Sequence, residues 1–143
     1  GDIDQARLET RFALATVFFS TKGENWYDGL NFLSSDHKCG WTSEGQDVGC
    51  NDDDQVTSLI VDGNNLRGAI PKELMVLSNL EELRLSNNTY GAENHKPSIS
   101  NPNILHSLGS LTNLKILDLS RNLLEYVIPS EFGELTNLES LYL

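Results

Sequence analysis

Few side chains in this chain have the type and spacing that catalysis or metal binding requires. Three histidines occur, His37, His95 and His106, and none has a partner at a spacing typical of a catalytic or metal site. No serine lies in a nucleophile-elbow pattern, and no glycine-rich phosphate loop precedes a helix. The sequence therefore predicts a protein without catalytic residues and without a cofactor.

The two cysteines, Cys39 and Cys50, can form either one disulfide or part of a metal site. Together with His37 they could supply three zinc ligands. The paired C-x-x-C spacing of structural zinc sites is absent, which favours the disulfide. The acidic run at 51–54 suggests calcium, but it lacks the glycine and the distant glutamate of an EF-hand. We interpret it as a solvated loop and predict no metal site.

One N-x-S/T tripeptide occurs, Asn87-Asn88-Thr89, and it makes Asn87 a possible glycosylation site. If the protein passes through a secretory route, Asn87 is the expected acceptor. Such tripeptides also arise by chance, so an unmodified asparagine is an equally good interpretation.

The composition is strongly acidic. The 143 residues include 10 Lys and Arg against 21 Asp and Glu, which gives a formal net charge of −11. This charge disfavours nucleic acid and anionic lipid as partners and suits solubility. No apolar run reaches the roughly 18 residues that span a bilayer. No basic start with an apolar signal core is present either, so we expect a mature or trimmed N-terminus.

Residues 2–20 are predicted to form a helix. Asp2, followed three residues later by Gln5, resembles a capping box. Apolar residues recur at i, i+4, i+7 and i+11 along one stripe: Leu8, Phe12, Ala15 and Phe19. Because such a helix is marginal alone, we expect this stripe to cover the open end of the domain that follows.

Residues 23–54 read as a loop. We expect its large aromatic side chains to pack between the helix and the following repeats: Trp26, Tyr27, Phe32 and Trp41. A Cys39–Cys50 disulfide would close a short loop here and stabilise the fold by about 3 kcal/mol in the chain-entropy model.

From residue 56 onward one pattern recurs. Its first apolar positions follow each other at steps of 24, 34 and 24 residues: Val56, Leu80, Leu114 and Leu138. Each copy begins as a short strand of the form LxxLxL, and three copies then reach an asparagine. Pro71 and Pro129 suit a corner. The pattern predicts stacked coils whose strands form a parallel sheet, because each coil can bury its leucines only against the next.

These segments resemble the 24-residue, plant-type leucine-rich repeat, LxxLxLxxNxLxGxIPxxLxxLxx. Residues 64–71 match its NxLxGxIP portion, and residues 122–129 match it apart from Tyr126, where the family has glycine. The segment before the repeats resembles the N-terminal cap of secreted plant and algal members. There a helix precedes a G-x-x-W stretch, here 23–26, and a C-x-W…C pair, here 39–50 with a wider spacing than in the family.

The resemblance implies an α/β repeat fold, a right-handed leucine-rich-repeat solenoid with a parallel concave sheet and an N-terminal helical cap. Residues 1–55 would be the cap and 56–143 the repeats, with coils at 56–79, 80–113, 114–137 and a partial coil at 138–143. Receptor ectodomains and secreted inhibitors of cell-wall-degrading enzymes are the settings it implies. We expect an extracellular location or an oxidising organelle lumen, which also suits a disulfide.

Two features of the coils have alternative interpretations. The recurring asparagines can satisfy backbone groups between coils or bind a ligand, and we favour the first: Asn64, Asn88 and Asn122. The middle coil carries ten extra residues. The resulting 92–107 insertion is either a binding loop or a tolerated surface insertion.

The strand positions that point away from the core form the predicted contact surface for a protein or peptide: Ile60, Asp62, Glu82, Arg84, Ile116, Asp118 and Tyr142. The leading hypothesis is a non-catalytic recognition domain that binds through this surface and the insertion. The alternative is a structural or extrinsic subunit of a larger assembly, in which a partner covers the open end of the solenoid.

Overall fold

The computed structural model of the chain describes residues 2–88, 102–122 and 127–143. Within those ranges six strands form one sheet in chain order: β1 Thr42–Ser43, β2 Gln46–Cys50, β3 Val56–Ile60, β4 Glu82–Arg84, β5 Ile116–Asp118 and β6 Ser140–Tyr142. The α-helices described are α1, Asp2–Ser20, and α2, Pro102–Leu108. The predicted helix at 2–20 is therefore present, whereas its suggested capping box involves Asp2, whose side chain lies outside the described part.

Strands β3 to β6 are parallel, and their central leucines stand side by side. Leu59 pairs with Leu83, Leu83 with Leu117, and Leu117 with Leu141. The first three are fully buried, whereas Leu141, in the last strand of the described sheet, is 39% exposed. The predicted stacking of the repeats is confirmed, since each buried leucine is covered by the equivalent residue of its neighbour.

The side of each coil that lies away from the sheet is a short helical turn. In two coils it is a 3₁₀ helix, Lys72–Val76 or Ser130–Glu134, and each starts directly after a proline whose fixed φ suits the corner. In the middle coil α2 packs between these two turns. Ile104 and Leu105 are buried there, so the C-terminal part of the predicted insertion belongs to the core. Residues 92–101 lie outside the described residues.

The segment 23–54 is only partly a loop, and its prediction as a loop was wrong for 42–50. There β1 and β2 form an antiparallel hairpin, and β2 then pairs antiparallel with β3. Gly45, at φ 82°, makes the turn. The strands were missed because they are short and polar, although Val48 of β2 is fully buried opposite Leu59.

The predicted buried stripe of α1 faces solvent instead. Leu8, Phe12 and Phe19 are 66%, 61% and 63% exposed. The buried face is formed by Leu14 and Val17 together with neighbouring small residues. The prediction was wrong because α1 carries two apolar stripes, and the amino-acid pattern alone does not reveal which one faces the repeats.

Close backbone contacts tie the end of α1 to the first coil. The Arg67 N–H donates to the Thr21 carbonyl at 3.0 Å, and the Ala69 N–H donates to the Ser20 carbonyl at 3.3 Å. Between them Gly68 adopts φ 105°, and a Cβ at this position would lie 2.4 Å from the Ser20 oxygen. Only glycine permits this approach.

A chain of aromatic rings fills the space behind the hairpin. Ring centroids lie 5.2 Å apart for Phe18–Trp26, 5.3 Å for Trp26–Phe32 and 5.0 Å for Phe32–Trp41. Three of the four predicted aromatics therefore pack as expected. Tyr27 does not, because it is exposed to solvent.

Asp54 is the centre of a charged cluster next to the cysteine pair. Its carboxylate oxygens lie 3.0 Å from Lys38 Nζ, 3.0 Å from His37 Nε2 and 3.2 Å from Arg7 Nε. Burial alone raises the pKa of Asp54. The hydrogen bond and charge of Lys38, followed by those of His37, outweigh burial and hold this pKa below its ordinary value of 3.8.

We predict that Leu83→Ala lowers the free energy of unfolding by about 2–5 kcal/mol, because it opens a cavity between two fully buried leucines. The control is Val127→Ala, at a position 89% exposed. It should change stability by about 0.5 kcal/mol or less. Urea unfolding followed by circular dichroism measures both. Equal losses in the two variants would contradict the stacked-leucine account.

We predict that Asp54→Asn is less stable than the wild type at neutral pH, and that this difference disappears in acid. The pKa of the carboxyl group is lower in the folded chain than its ordinary 3.8. Its stabilisation is therefore complete above that pH and is lost as the pH falls through the lower folded value. Urea unfolding from neutral pH down to about pH 2 tests this. Asp53→Asn, at an exposed neighbour, is the control. A difference that stays constant with pH would refute the prediction.

Candidate protein-binding face

The predicted contact residues lie together on the side of the sheet opposite the buried leucines, which we call the open face. In the strand register, one row joins Ile60, Arg84, Asp118 and Tyr142, and the neighbouring row joins Glu82 and Ile116. Asp62 lies two residues after the end of β3. Tyr142 is 51% exposed, and the others are half-buried.

A salt-bridge network crosses the middle of the open face. Arg84 forms an ion pair with Glu82 and lies 3.9 Å from Asp118. The hydrogen bond to Glu82 is the largest of the effects that raise the pKa of Arg84 further above its ordinary value. One guanidinium faces three carboxylates, those of Asp62, Glu82 and Asp118. The open face is therefore net negative between its apolar residues.

A depression of about 390 Å³ lies where strands β3, β4 and β5 end. Two of its carboxylates are held by backbone groups. Asp62 Oδ1 accepts from the Ser86 N–H at 2.6 Å, and Asp118 Oδ1 accepts from the Ser120 N–H at 3.0 Å. Burial raises the pKa of Asp62. The depression can accept hydrogen bonds from a cationic or N–H-bearing group of a partner.

The hairpin extends the open face beyond the repeats. Gln46 Nε2 donates to the Asp62 carbonyl at 2.8 Å, and Ser58 Oγ donates to Asp47 Oδ2 at 3.0 Å. Gln46 and Asp47 were missed in the sequence because they lie outside any repeat. The one sequence signal near them is the glycine at position 49. In the structure a Cβ at this position would lie 2.2 Å from Ser58 Oγ, so glycine is favoured there.

The three recurring asparagines are buried, and their amides bond to backbone groups. Asn88 Oδ1 accepts from the N–H groups of Asn64 at 2.9 Å and Leu66 at 3.1 Å. Its Nδ2 donates to the Val61 carbonyl of the preceding coil at 2.9 Å. Asn122 repeats the pattern, since its Nδ2 donates back to the Leu85 carbonyl at 2.7 Å. These amides are engaged within the fold and are not displayed on the open face.

We predict that Asn88→Leu destabilises the fold by at least about 2 kcal/mol, because it leaves several buried backbone groups without a partner. The control is Asn113→Leu, which removes one exposed hydrogen bond to the Ser78 carbonyl. It should cost about 1 kcal/mol or less. Thermal and urea unfolding of the two variants measure the difference. A smaller loss for Asn88 than for Asn113 would rule out the inter-coil role.

Asn87, the possible glycan acceptor, lines the same depression. Its N–H donates to the Ser120 carbonyl at 3.0 Å. Thr89 of the tripeptide lies outside the described residues. Glycosylation of Asn87 stays a prediction.

Cys39 and Cys50 are joined by a disulfide with a Cα–Cα distance of 5.6 Å. Potential ligand atoms of His37, Cys39 and Asp54 lie within 4.8 Å of one another, the one such group in the part of the chain that the structure describes. A disulfide sulfur is not the thiolate that zinc binds, so the disulfide interpretation is correct here. Of the other histidines, His106 pairs with Glu131 at 3.0 Å, and His95 lies outside the described residues.

The geometry described so far is that of a leucine-rich-repeat solenoid. The Leucine Rich Repeat family model matches residues 113–135, which span β5 and the 3₁₀ turn that follows it. The chain therefore carries leucine-rich repeats, a class of domain that generally mediates protein interactions.

Comparison with known proteins supports this class. Over 140 residues the chain is 30% identical to a leucine-rich repeat receptor-like protein kinase of Arabidopsis thaliana, whose name marks its kinase activity as doubtful. The alignment covers 96% of this chain but only 12% of that relative. The chain thus spans a small part of the relative's length.

Two solved structures share the fold. One is the BIR3–SERK2 complex from Arabidopsis thaliana, with a TM-score of 0.61 and 24% identity, covering 90% of this chain and 67% of that chain. The other is a leucine-rich repeat protein from Bacteroides eggerthii, with a TM-score of 0.54 and 12% identity, covering 93% and 35%. No helix in the described ranges combines the length and the apolar character needed to cross a membrane.

Proposed function

We propose that this chain is a non-catalytic recognition domain that binds a protein or peptide through its open face. The observation that carries the proposal is the register row Ile60–Arg84–Asp118–Tyr142. It places apolar side chains at both ends of the row and an ion-paired network between them. Neighbouring apolar and charged side chains on a rigid sheet are typical of a protein-binding surface.

The proposal also defines which partner chemistry fits. Ile116 and Tyr142 provide apolar contact, and the depression, which Arg121 also lines, offers the carboxylates of Asp62 and Asp118 to a basic or N–H-bearing side chain. Arg84 is already paired with Glu82, so the unmatched charge on the face is negative. A partner segment that combines apolar and basic residues is complementary to this surface.

We also propose a specific class for the repeats and for the segment that precedes them. We assign the repeats to the 24-residue, plant-type class, with right-handed coils at 56–143 and a cysteine-paired cap at 1–55. The NxLxGxIP match at 64–71 supports the class. The disulfide and the helix α1 at the first coil support the cap. The receptor-like relative and the disulfide favour an extracellular or other oxidising location.

Partner binding by this fold has a parallel among the solved structures. The Arabidopsis structure that shares the fold is a complex, that of BIR3 with SERK2. For this chain we propose the same general use, the docking of another polypeptide, and identify the residues that would make the contact. The 92–107 insertion is proposed as a second contributor, through the part that precedes α2.

We predict that Tyr142→Asp and Ile60→Asp each weaken binding at least about tenfold, because each replaces an apolar contact at one end of the register row with a charge. Peptides selected against the wild-type chain from a random displayed library serve as the probe. Titration calorimetry then compares the variants. The control is Val127→Asp, at a position 89% exposed and outside the open face.

Circular dichroism must show that all three variants keep the wild-type fold. If Val127→Asp weakens binding as much as Tyr142→Asp, the peptides bind elsewhere and the open-face proposal is wrong. If neither open-face variant changes the affinity, the proposal is also wrong.

A further inference from the structure

The helix α1 presents two apolar faces that point in opposite directions. At 3.6 residues per turn, the buried positions Leu14 and Val17 lie about half a turn away from the stripe of Leu8, Phe12, Ala15 and Phe19. The three large members of the stripe are each more than three fifths exposed. A helix that is apolar on both sides normally buries both. In the described part of the chain only one side is covered.

We propose that two copies of this chain associate through this stripe, with their α1 helices antiparallel. The spacing of the stripe is 4, 3 and 4 residues, which reads the same in both directions. A two-fold axis level with the midpoint between Phe12 and Ala15 therefore places the stripe of one copy against the same stripe of the other. Leu8 then faces Phe19 of the second copy, and Phe12 faces Ala15 of the second copy. This is the isologous contact that closed dimers use.

The side-chain sizes along the stripe favour this pairing. Ala15 leaves a gap in the middle of each stripe, and the ring of Phe12 from the other copy can fill it. The same spacing gives the alternating a and d positions of a helix pair that packs knobs into holes. A large side chain opposite a small one lets two helices approach closely without strain.

The charges around the stripe are compatible with the antiparallel arrangement. It places Arg11 level with Thr16 of the second copy and Glu9 level with Phe18 of the second copy. No two like charges therefore face each other at the centre of the contact. The formal charge of −11 on each copy opposes association at long range. Added salt should strengthen the dimer, because it screens this repulsion.

The size of the contact predicts a dissociable dimer. The exposed apolar area of the stripe is roughly 300–400 Å² per copy, from the usual size of aromatic side chains. That is about as large as the largest apolar patch of a typical monomer, and such patches are often functional. The two stripes together contribute roughly 600–800 Å², which is below the lower bound of about 1,200 Å² for stable interfaces. The dimer should form at high concentration and separate on dilution.

Sedimentation velocity of the full chain over a concentration series tests the proposal. The wild-type mass should rise from the 15.9 kDa of one chain towards twice that value. Phe12→Asp should weaken dimerisation at least about tenfold. Val127→Asp, an equally charged change away from α1, should dimerise like the wild type. A wild type that stays monomeric at all concentrations overturns the proposal.

The variant Ala15→Phe distinguishes the specific antiparallel pairing from non-specific hydrophobic association. It makes the stripe more apolar but fills the gap that Phe12 of the second copy needs. We expect it to weaken the dimer. If it strengthens association instead, the antiparallel packing is wrong. The stripe and the open face share no residue, so the outcome of this experiment is independent of the proposed peptide binding.

Discussion

Each coil of the structure needs its neighbour to bury its leucines and to pair its backbone polar groups. Leu83 is shielded from water because Leu59 and Leu117 lie on either side of it in the sheet register. The Asn88 amide provides hydrogen bonds to buried polar groups, since it bonds to backbone atoms of two successive coils. Apolar burial and backbone hydrogen bonding are thus satisfied along one axis. The open face stays free because neither requirement uses it.

Much of this arrangement is readable from the amino-acid sequence, because the coils repeat. The positions of the inward leucines, the asparagines and the outward residues follow from a period, and the strand register agrees with the leucines and the outward residues of the strands. The pairing of Arg84 with Glu82 does not follow from the period, since side-chain rotamers decide it. The burial that raises the pKa of Asp62 is likewise a property of the folded surface.

The segment before the repeats was harder to interpret for physical reasons. Helix α1 has two apolar faces, and the choice between them depends on which one fits against the turn Lys72–Val76. The smaller residues of the buried face allow a close approach that Phe12 and Phe19 would prevent. The strand β2 contains few apolar residues, so it has no alternation strong enough to be recognised. Its partner β3 determines its conformation.

The hairpin also gives the sheet a covalently fixed edge. There β3 is joined to a strand that carries Cys50, whose disulfide ties it to the 3₁₀ turn Lys38–Gly40. This crosslink should hold the edge in place when neighbouring hydrogen bonds open locally. A polypeptide that lies across the open face would therefore contact an anchored surface at Gln46.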